Sequence, residues 1–465
     1  MAKEAFNPSR CEIKKAELIP HDKENVKSFD VSLMIGDFHL NQSINLVALS
    51  GTITLLDNIN LLQGMPMRGE EQLILTIYCF DKQTEVNLNC QVIKIDGLEP
   101  TPDTKGMSYT LHWVTKLSYE SGKRSMIRSF TKKKPSTIVK AIFEKYYDTG
   151  LTEIKKLPEG RVIPENTKVY NIAKDPGRRL YIEESDNNIT VTIPHYSPAE
   201  AIQFITRRTY GSTRSKSSSF RFFERFDGWY FVSDEWLFQN GRDNGAKVLN
   251  YNPFVEMDGE NPLEQINGLN QLNYTHRVNT ASDLLGGAYS NSILEVDILA
   301  KTAKKYNYNY KDYYKEYVDV GGKRASLGTD VHSESFINDT FNKENAKHFL
   351  IVRDYRDEND AGTFKPENNI REIVAKRNMF EYHSRATALS AVTAGRLDIQ
   401  AGQIVKLDIR EMNAGSQAES NKQLSGRYLV VAVENHINDG ECSTGLALYK
   451  FGFSDAAGDK KGAII

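Results

Sequence analysis

Two neighbouring stretches set the strictest limit on how this chain folds. "EQLILTIYCF" (71–80) places Leu73, Leu75, Ile77 and Cys79 at every second position. "EVNLNCQVIKI" (85–95) then sets Val86, Leu88, Cys90 and Val92 against Asn87, Asn89 and Gln91. Side chains two apart on a strand share a face, so an alternating apolar and polar pattern dictates an antiparallel sheet with one face buried. "ALSGTITLLDN" (48–58) alternates in the same way through Ile53 and Leu55, and "MSYTLHWVTKLSY" (107–119) completes the set. Four or five such strands at short spacing predict a small barrel or sandwich.

The period changes after Pro135. "PSTIVKAIFEKYY" carries Ile138, Val139, Ile142, Phe143 and Tyr146 on one helical stripe. "YSPAEAIQFITRRTYG" has Ser197 at the N-cap, Pro198 at the first helical position and Glu200 three residues on, which makes a capping box, with Gly211 placed to end the helix. "SFRFFERFDGWYFVSDEWLF" reads as two strands around Asp227-Gly228, a pair favoured in hairpin turns. "SILEVDIL" and "KKYNYNYKDY" read as another hairpin, linked through 300–304, with Tyr306, Tyr308 and Tyr310 on one face. The segment from about 319 to 370 is polar and glycine-containing, as long loops are. "FEYHSRATALSAVTAG" (380–395) reads as a helix ending at Gly395, "LDIQAGQIVKLDI" holds an Ala401-Gly402 turn, and Asn438-Asp439-Gly440 marks a last hairpin.

With 465 residues, 40% hydrophobic and 26% charged, the chain is globular and long enough for about three domains. A formal net charge of −2 gives no global field toward nucleic acid or anionic membranes. The basic run "SGKRSMIRSFTKKK" (121–134) reads as a solvated face, and "RRTYGSTRSKSSSFRFFERF" (207–226) as a core strand following a polar link rather than a base-stacking platform. The opening "MAKEAFNPSRCEIKKAELIP" has no apolar h-region, so a secretory signal is not expected. Cys11, Cys79, Cys90 and Cys442 form no CxxC pair. Cys79 and Cys90 fall on one expected hairpin and are read as buried thiols in a reducing compartment, a disulfide between them being the alternative.

The sequence holds no GxSxG elbow, HExxH, Walker loop or GxGxxG. "GGKRAS" (321–326) lacks the phosphate-loop spacing. His332 near Glu334 and His348 near Asp354 read as polar-loop residues, and His436 as a hydrogen-bonding residue at a strand end. No catalytic, cofactor or metal residue is therefore expected, and no enzyme. Six tyrosines between 306 and 317 ask for another role. Aromatic strands are most often core, but Tyr is also enriched in protein–protein patches.

The pattern as a whole resembles the baseplate hub proteins of contractile-tailed bacteriophages, relatives of the base of type VI secretion spikes. "FDVSLMI" with "INLVALSGTITLLDNIN" resembles the hub's first strand and long hairpin, and "GMPMRGEEQLILTIY" its loop and strand entry. "ITVTIPHYSPAEAIQFITRR" and "SFRFFERFDGWYFVSDEWL" are similar to the middle domain, and "GGAYSNSILEVDILAKTAKKYNYNY" to a ribbon of that family. "LDIQAGQIVKLDI" with "LSGRYLVVAVENHI" resembles the last barrel. The fold implied is mainly β with an α+β insertion: two tail-tube-like β-barrels plus smaller α/β and loop-rich domains. The expected organisation is an arm at 1–25, a first barrel at 26–125 and an α+β domain at 126–250. A second barrel follows from 251–299 and 385–453, with a polar loop-rich insertion at 300–384 and a tail at 454–465. The resemblance implies a non-enzymatic homotrimer in the virion tail baseplate, assembled in the host cytoplasm, that adapts a hexameric tail tube to a trimeric central spike. The spike is expected as a separate chain. Other baseplate proteins, and a tape measure protein in the channel, complete the implied partners. Ile53, Leu55, Tyr306, Tyr308 and Tyr310 are the expected subunit-interface residues. The alternative is a cell-wall hydrolase or glycan-binding module delivered with the tail, which would show a perturbed carboxylate in a cleft.

Overall fold

The computed structural model describes residues 10–21, 27–65, 67–79, 84–101, 106–147, 150–154, 162–211, 218–251, 267–276, 279–298, 300–317, 347–352, 370–410, 420–421 and 424–451. Most of the expected polar insertion, including 321–326, His332, Glu334 and Asp354, lies outside the described residues, as does the tail 454–465.

The protein is mainly β, and its largest element is a 13-stranded sheet built from both ends of the chain. The N-terminal part contributes β1 (Cys11–Ile19), β2 (Phe29–Asp30), β3 (Ile35–Ser43), β4 (Ser50–Asp57), β5 (Gln72–Cys79), β6 (Thr84–Thr101) and β7 (Gly106–Thr115). They run in the order β3-β4-β7-β6-β5-β1-β2, every pair antiparallel. The alternation read from the sequence selects the buried face: Leu73, Leu75, Ile77, Cys79, Val86, Leu88, Cys90 and Val92 are all buried. Each such side chain removed from water contributes about 1.5–3 kcal/mol, which fixes the pleat's parity. The segment 11–19 is thus no arm, because β1 pairs with β5 from Cys11↔Cys79 to Ile19↔Gln72.

The middle of the chain forms β8 (Met126–Lys133), β9 (Leu151–Glu153), β10 (Thr167–Ile172), β11 (Arg179–Glu183), β12 (Ile189–Tyr196), β13 (Phe220–Arg225) and β14 (Gly228–Ser233). β8 pairs with β12, and the others form a five-stranded sheet, β13-β14-β11-β10-β9. Two short helices, α1 (Leu61–Gly64) and α2 (Lys116–Gly122), precede α3 (Pro135–Tyr146), α4 (Pro198–Thr206) and α5 (Asp234–Asp243). α3 buries Ile138, Val139, Ile142 and Phe143 in a core with Phe222, Trp229 and Phe231. Their strand neighbours Phe223, Tyr230 and Val232 enter a different core, which explains the unbroken apolar run in β14. The capping box at Ser197 is present, but α4 ends at Thr206, and Gly211 instead bridges Ser185. The β13–β14 hairpin also forms. Its turn sits one residue earlier than expected, since Arg225 pairs with Gly228.

The C-terminal part supplies β15 (Lys247–Tyr251), β16 (Leu269–His276), β20 (Thr387–Ala394), β21 (Ile404–Ile409), β22 (Gly426–Asn438) and β23 (Glu441–Lys450). They follow the order β16-β20-β23-β22-β21-β15. The N–H of Asn250 donates to the carbonyl of Asn267 at 2.7 Å, and Asn250 bridges Gly268 beside β16, so this set closes into a ring. The expected helix over 380–395 is overturned: α8 (Ile370–Ser384) stops and "TALSAVTA" becomes β20, threaded between β16 and β23. Small and β-branched residues fit that crowded pleat, whereas helix propensity is only a weak prior. The Asp439-Gly440 turn is as expected, with φ of 49° and 78° at the two residues.

β22 joins the two halves. It pairs with β21 over residues 426–429, with β3 over 432–438, and with β23 along most of its length. Its hairpin also closes the first ring, because the Cys11 N–H donates to the Gly440 carbonyl at 3.1 Å and Arg10 bridges Glu441. The N-terminal core accordingly includes Ile437 and Cys442 beside Phe38, Ile53 and Trp113. A second core gathers Leu249, Leu389, Val405, Leu407, Tyr428 and Leu448.

Between β16 and β20 of the second ring the chain forms α6 (Thr280–Gly286), β17 (Ser290–Asp297), β18 (Thr302–Asn309), α7 (Tyr310–Tyr313) and β19 (Lys347–Val352). β17 and β18 make the expected hairpin, but with β19 they form a separate three-stranded sheet outside the second ring.

Candidate assembly surface

Four of the five residues expected at a subunit interface are covered by their own chain. Ile53 and Leu55 are 0% exposed in the N-terminal core. Their strand, β4, is paired on both sides, with β3 and β7, and therefore offers no edge. Tyr308 and Tyr310 lie in a core that also holds Tyr317, Phe380 and Met379. The Tyr310 ring stacks on His383 with centroids 3.9 Å apart, and the Tyr317 hydroxyl donates to the Lys376 carbonyl at 3.2 Å. Tyr306 is half-buried under the Arg371 guanidinium, 4.1 Å from its ring centroid. Among these side chains, the ribbon binds the three-stranded sheet to α8, where flat rings fill space and hydroxyls satisfy backbone carbonyls.

A different strand edge is open. β6 pairs with β5 only as far as Gln91↔Gln72, after which Val92 donates to the Glu71 carbonyl at 2.9 Å. Beyond that point β6 is held by β7 alone, through Thr101↔Gly106, with bulges after Val92 and after Asp96. Its other edge has no strand partner among the described residues. Ile93 and Leu98 on this arm are 46% and 54% exposed, and Leu56 and Met107 on the adjoining strands are also exposed. Unpaired N–H and C=O groups beside exposed apolar side chains make a template for another chain. Past Ile95 the sequence runs Asp96-Gly97-Leu98-Glu99-Pro100, which breaks the alternation and hides the arm from a pattern reading.

The buried charges join parts of the fold. Glu224 on β13 accepts the N–H of Leu49 at 2.9 Å, the Thr115 hydroxyl at 2.7 Å and the Ser118 hydroxyl at 3.1 Å, and it is paired with Arg178 at 2.7 Å. Burial opposes the Arg178 charge, but Glu224 and Asp175 outweigh it and hold its pKa above the ordinary value. Burial likewise pushes Glu183 up to about 7, although it accepts the Ser233 N–H at 2.7 Å. Asp398 goes the other way: burial opposes it, yet the Arg396 fork and Lys247 bring it down to about 2.

Cavities of about 260, 450 and 180 Å³ are found among the described residues. Polar residues line the 450 Å³ cavity, among them Arg225, Asp227, Lys247 and Gln403. Glu183 and Glu224, the carboxylates that burial raises, line none of these three.

Among the described residues, two groups of possible metal ligands gather from distant sequence: Cys11 with Cys79 and Cys442, and Asp37 with His39 and His436. In the first, Cys11 and Cys79 are bonded to each other as a disulfide, which corrects the reading of Cys79 as a thiol opposite Cys90. Cys90 instead faces Leu73 across β5, and burial raises its thiol pKa well above normal.

No protein-family model matches this chain, and no curated protein matches it. Solved structures do. A tail protein from Neisseria meningitidis MC58 superposes with a TM-score of 0.50 at 8% identity, covering 95% of this chain and 98% of that one. The 43 kDa tail protein of prophage MuSo2 from Shewanella oneidensis gives 0.47 at 9% identity, over 95% and 99%. A prophage tail protein from Listeria monocytogenes EGD-e gives 0.41 at 8% identity, over 93% and 94%. The chain thus has the fold of the Neisseria tail protein along nearly its whole length.

Proposed function

We propose that this chain is a structural baseplate hub of a contractile phage tail, a homotrimer that adapts a hexameric tail tube to a trimeric central spike. The observation that carries the reading is the closure of two β-rings within one chain, fused at the β3–β22 pairing. Three such chains present six rings to a sixfold tube while keeping a threefold body for the spike. The fold shared with a tail protein supports the same reading. In this role the chain sits in the virion baseplate with tube, spike and other baseplate proteins, and a tape measure protein occupies the channel. Binding comes from backbone pairing at open strand edges and from apolar contacts, and no turnover is required. The division into barrels, middle domain and insertion is part of this proposal.

Sedimentation equilibrium tests the proposal, with electron microscopy of the same sample. A particle of three chain masses with a central channel is the expected result. A monomer at micromolar concentration that also fails to trimerise with tube protein would overturn it.

A further inference from the structure

The outer face of the joint between the rings carries four groups that no structural requirement of a sheet explains. His39 on β3 and His436 on β22 are directly opposite in register, and their rings stack 4.3 Å apart at 9°. Asp37 lies two residues before His39 and Glu434 two residues before His436, so all four side chains emerge on one face. Asp37 presents one oxygen to each imidazole: Oδ2 is 3.0 Å from His39 Nε2, and Oδ1 is hydrogen-bonded to His436 Nε2. On the far side of the ring, His39 Nδ1 is 3.0 Å from Glu434 Oε1.

We infer that Asp37, His39 and His436 form a binding site for a divalent transition-metal cation of the zinc type, which would bridge the two rings. Two imidazoles and one carboxylate are the donor set such a cation takes when some positions are left open to water or a partner. The Glu434 contact adds what a bare cluster lacks. A carboxylate accepting Nδ1–H holds His39 in the tautomer whose Nε2 lone pair is free for the metal, as outer partners of metal-bound histidines commonly do. The three ligand atoms lie within 4.8 Å of one another, against about 3.3 Å in a tetrahedral zinc site with ~2.0 Å bonds. Side-chain rotation closes that gap, because backbone pairing holds both strands. The site also has an entry path, since the Asp37, His39 and His436 side chains are 31%, 30% and 38% exposed. Binding would replace the present contacts of Asp37 with the two Nε2 atoms by bonds from all three groups to one cation.

Tag-free protein is titrated with zinc chloride in a calorimeter, and bound metal is counted after dialysis. One equivalent per chain is expected, with a higher melting temperature in zinc and none in magnesium. His39→Asn and His436→Asn should each abolish tight binding. Glu434→Gln should weaken it about 10- to 100-fold while leaving the metal-free melting temperature unchanged. Cys442→Ser should have no effect. The inference fails if zinc does not bind, if magnesium binds equally, or if binding survives in the histidine variants but disappears with Cys442. Should one histidine variant not fold, the other together with Glu434→Gln decides the matter.

Discussion

The carboxylate of Glu224 accepts the backbone N–H of Leu49 at 2.9 Å, across 175 residues of chain. The same carboxylate takes the Thr115 hydroxyl and the Arg178 charge, so one side chain of the middle sheet ties down the β3–β4 connection and the end of β7. Breaking a buried pair from one side leaves a charge without its partner. Glu224→Ala should therefore cost about 3–5 kcal/mol in urea unfolding, and Glu224→Gln clearly less, because the amide oxygen still accepts. Equal, small losses in both would show that the contact does not hold the two parts together.

Glu183 makes stability fall as pH rises. Its folded pKa of about 7 lies above the ordinary 4.5, so the folded chain binds the proton more tightly. The stabilisation is complete below pH 4.5, is lost between 4.5 and 7, and stays lost above, by about 3 kcal/mol in total. Asp398 has the opposite sign: its contribution is present above pH 3.8 and disappears as pH falls toward 2. Denaturation curves from pH 2 to 8 should show the first slope vanish in Glu183→Gln and the acid limb shrink in Asp398→Asn.

Gly228 has φ of 136°, and a Cβ there would meet the Arg179 carbonyl oxygen at 1.8 Å, where β14 runs parallel to β11. Gly228→Ala should lower the melting temperature severely or prevent folding. At Gly122, in α2, a Cβ meets nothing within 4 Å, so Gly122→Ala should raise stability by about 0.5–1 kcal/mol.

Core and assembly roles separate by mutation. Tyr310→Ala should cost about 3–5 kcal/mol of folding stability, the range for large aromatic truncations. Ile93→Asp with Leu98→Asp should leave the melting temperature within about 2 °C and shift the oligomer toward monomer in sedimentation. An unchanged oligomer would remove the β6 arm from the interface.

Under denaturing, non-reducing conditions, an oxidised preparation should titrate two thiols, Cys90 and Cys442, because Cys11 and Cys79 are bonded. Four would mean that the disulfide does not form.

Local patterns were readable because their information lies within a few residues. Leu73 to Val92 announced their buried face through period two, Ser197 and Glu200 their capping box, and Asp439-Gly440 its tight turn. The segment 387–394 misled because Ala, Leu and Thr satisfy either geometry, and its strand state follows from filling the gap between β16 and β23. Likewise Ile53, Leu55 and Tyr310 carried a pattern equally suited to an interface or to an interior.

What the chain's own letters determined is the inward face of the alternating strands and the helices with explicit start signals. Which strands become neighbours was decided only in three dimensions. An alternating strand fits many partners equally well, so the choice of β3 for β22 depends on both rings closing together. That single pairing sets His39 against His436, while closure of the first ring places Cys442 beside the Cys11–Cys79 disulfide. No window of sequence contains both members of either pair.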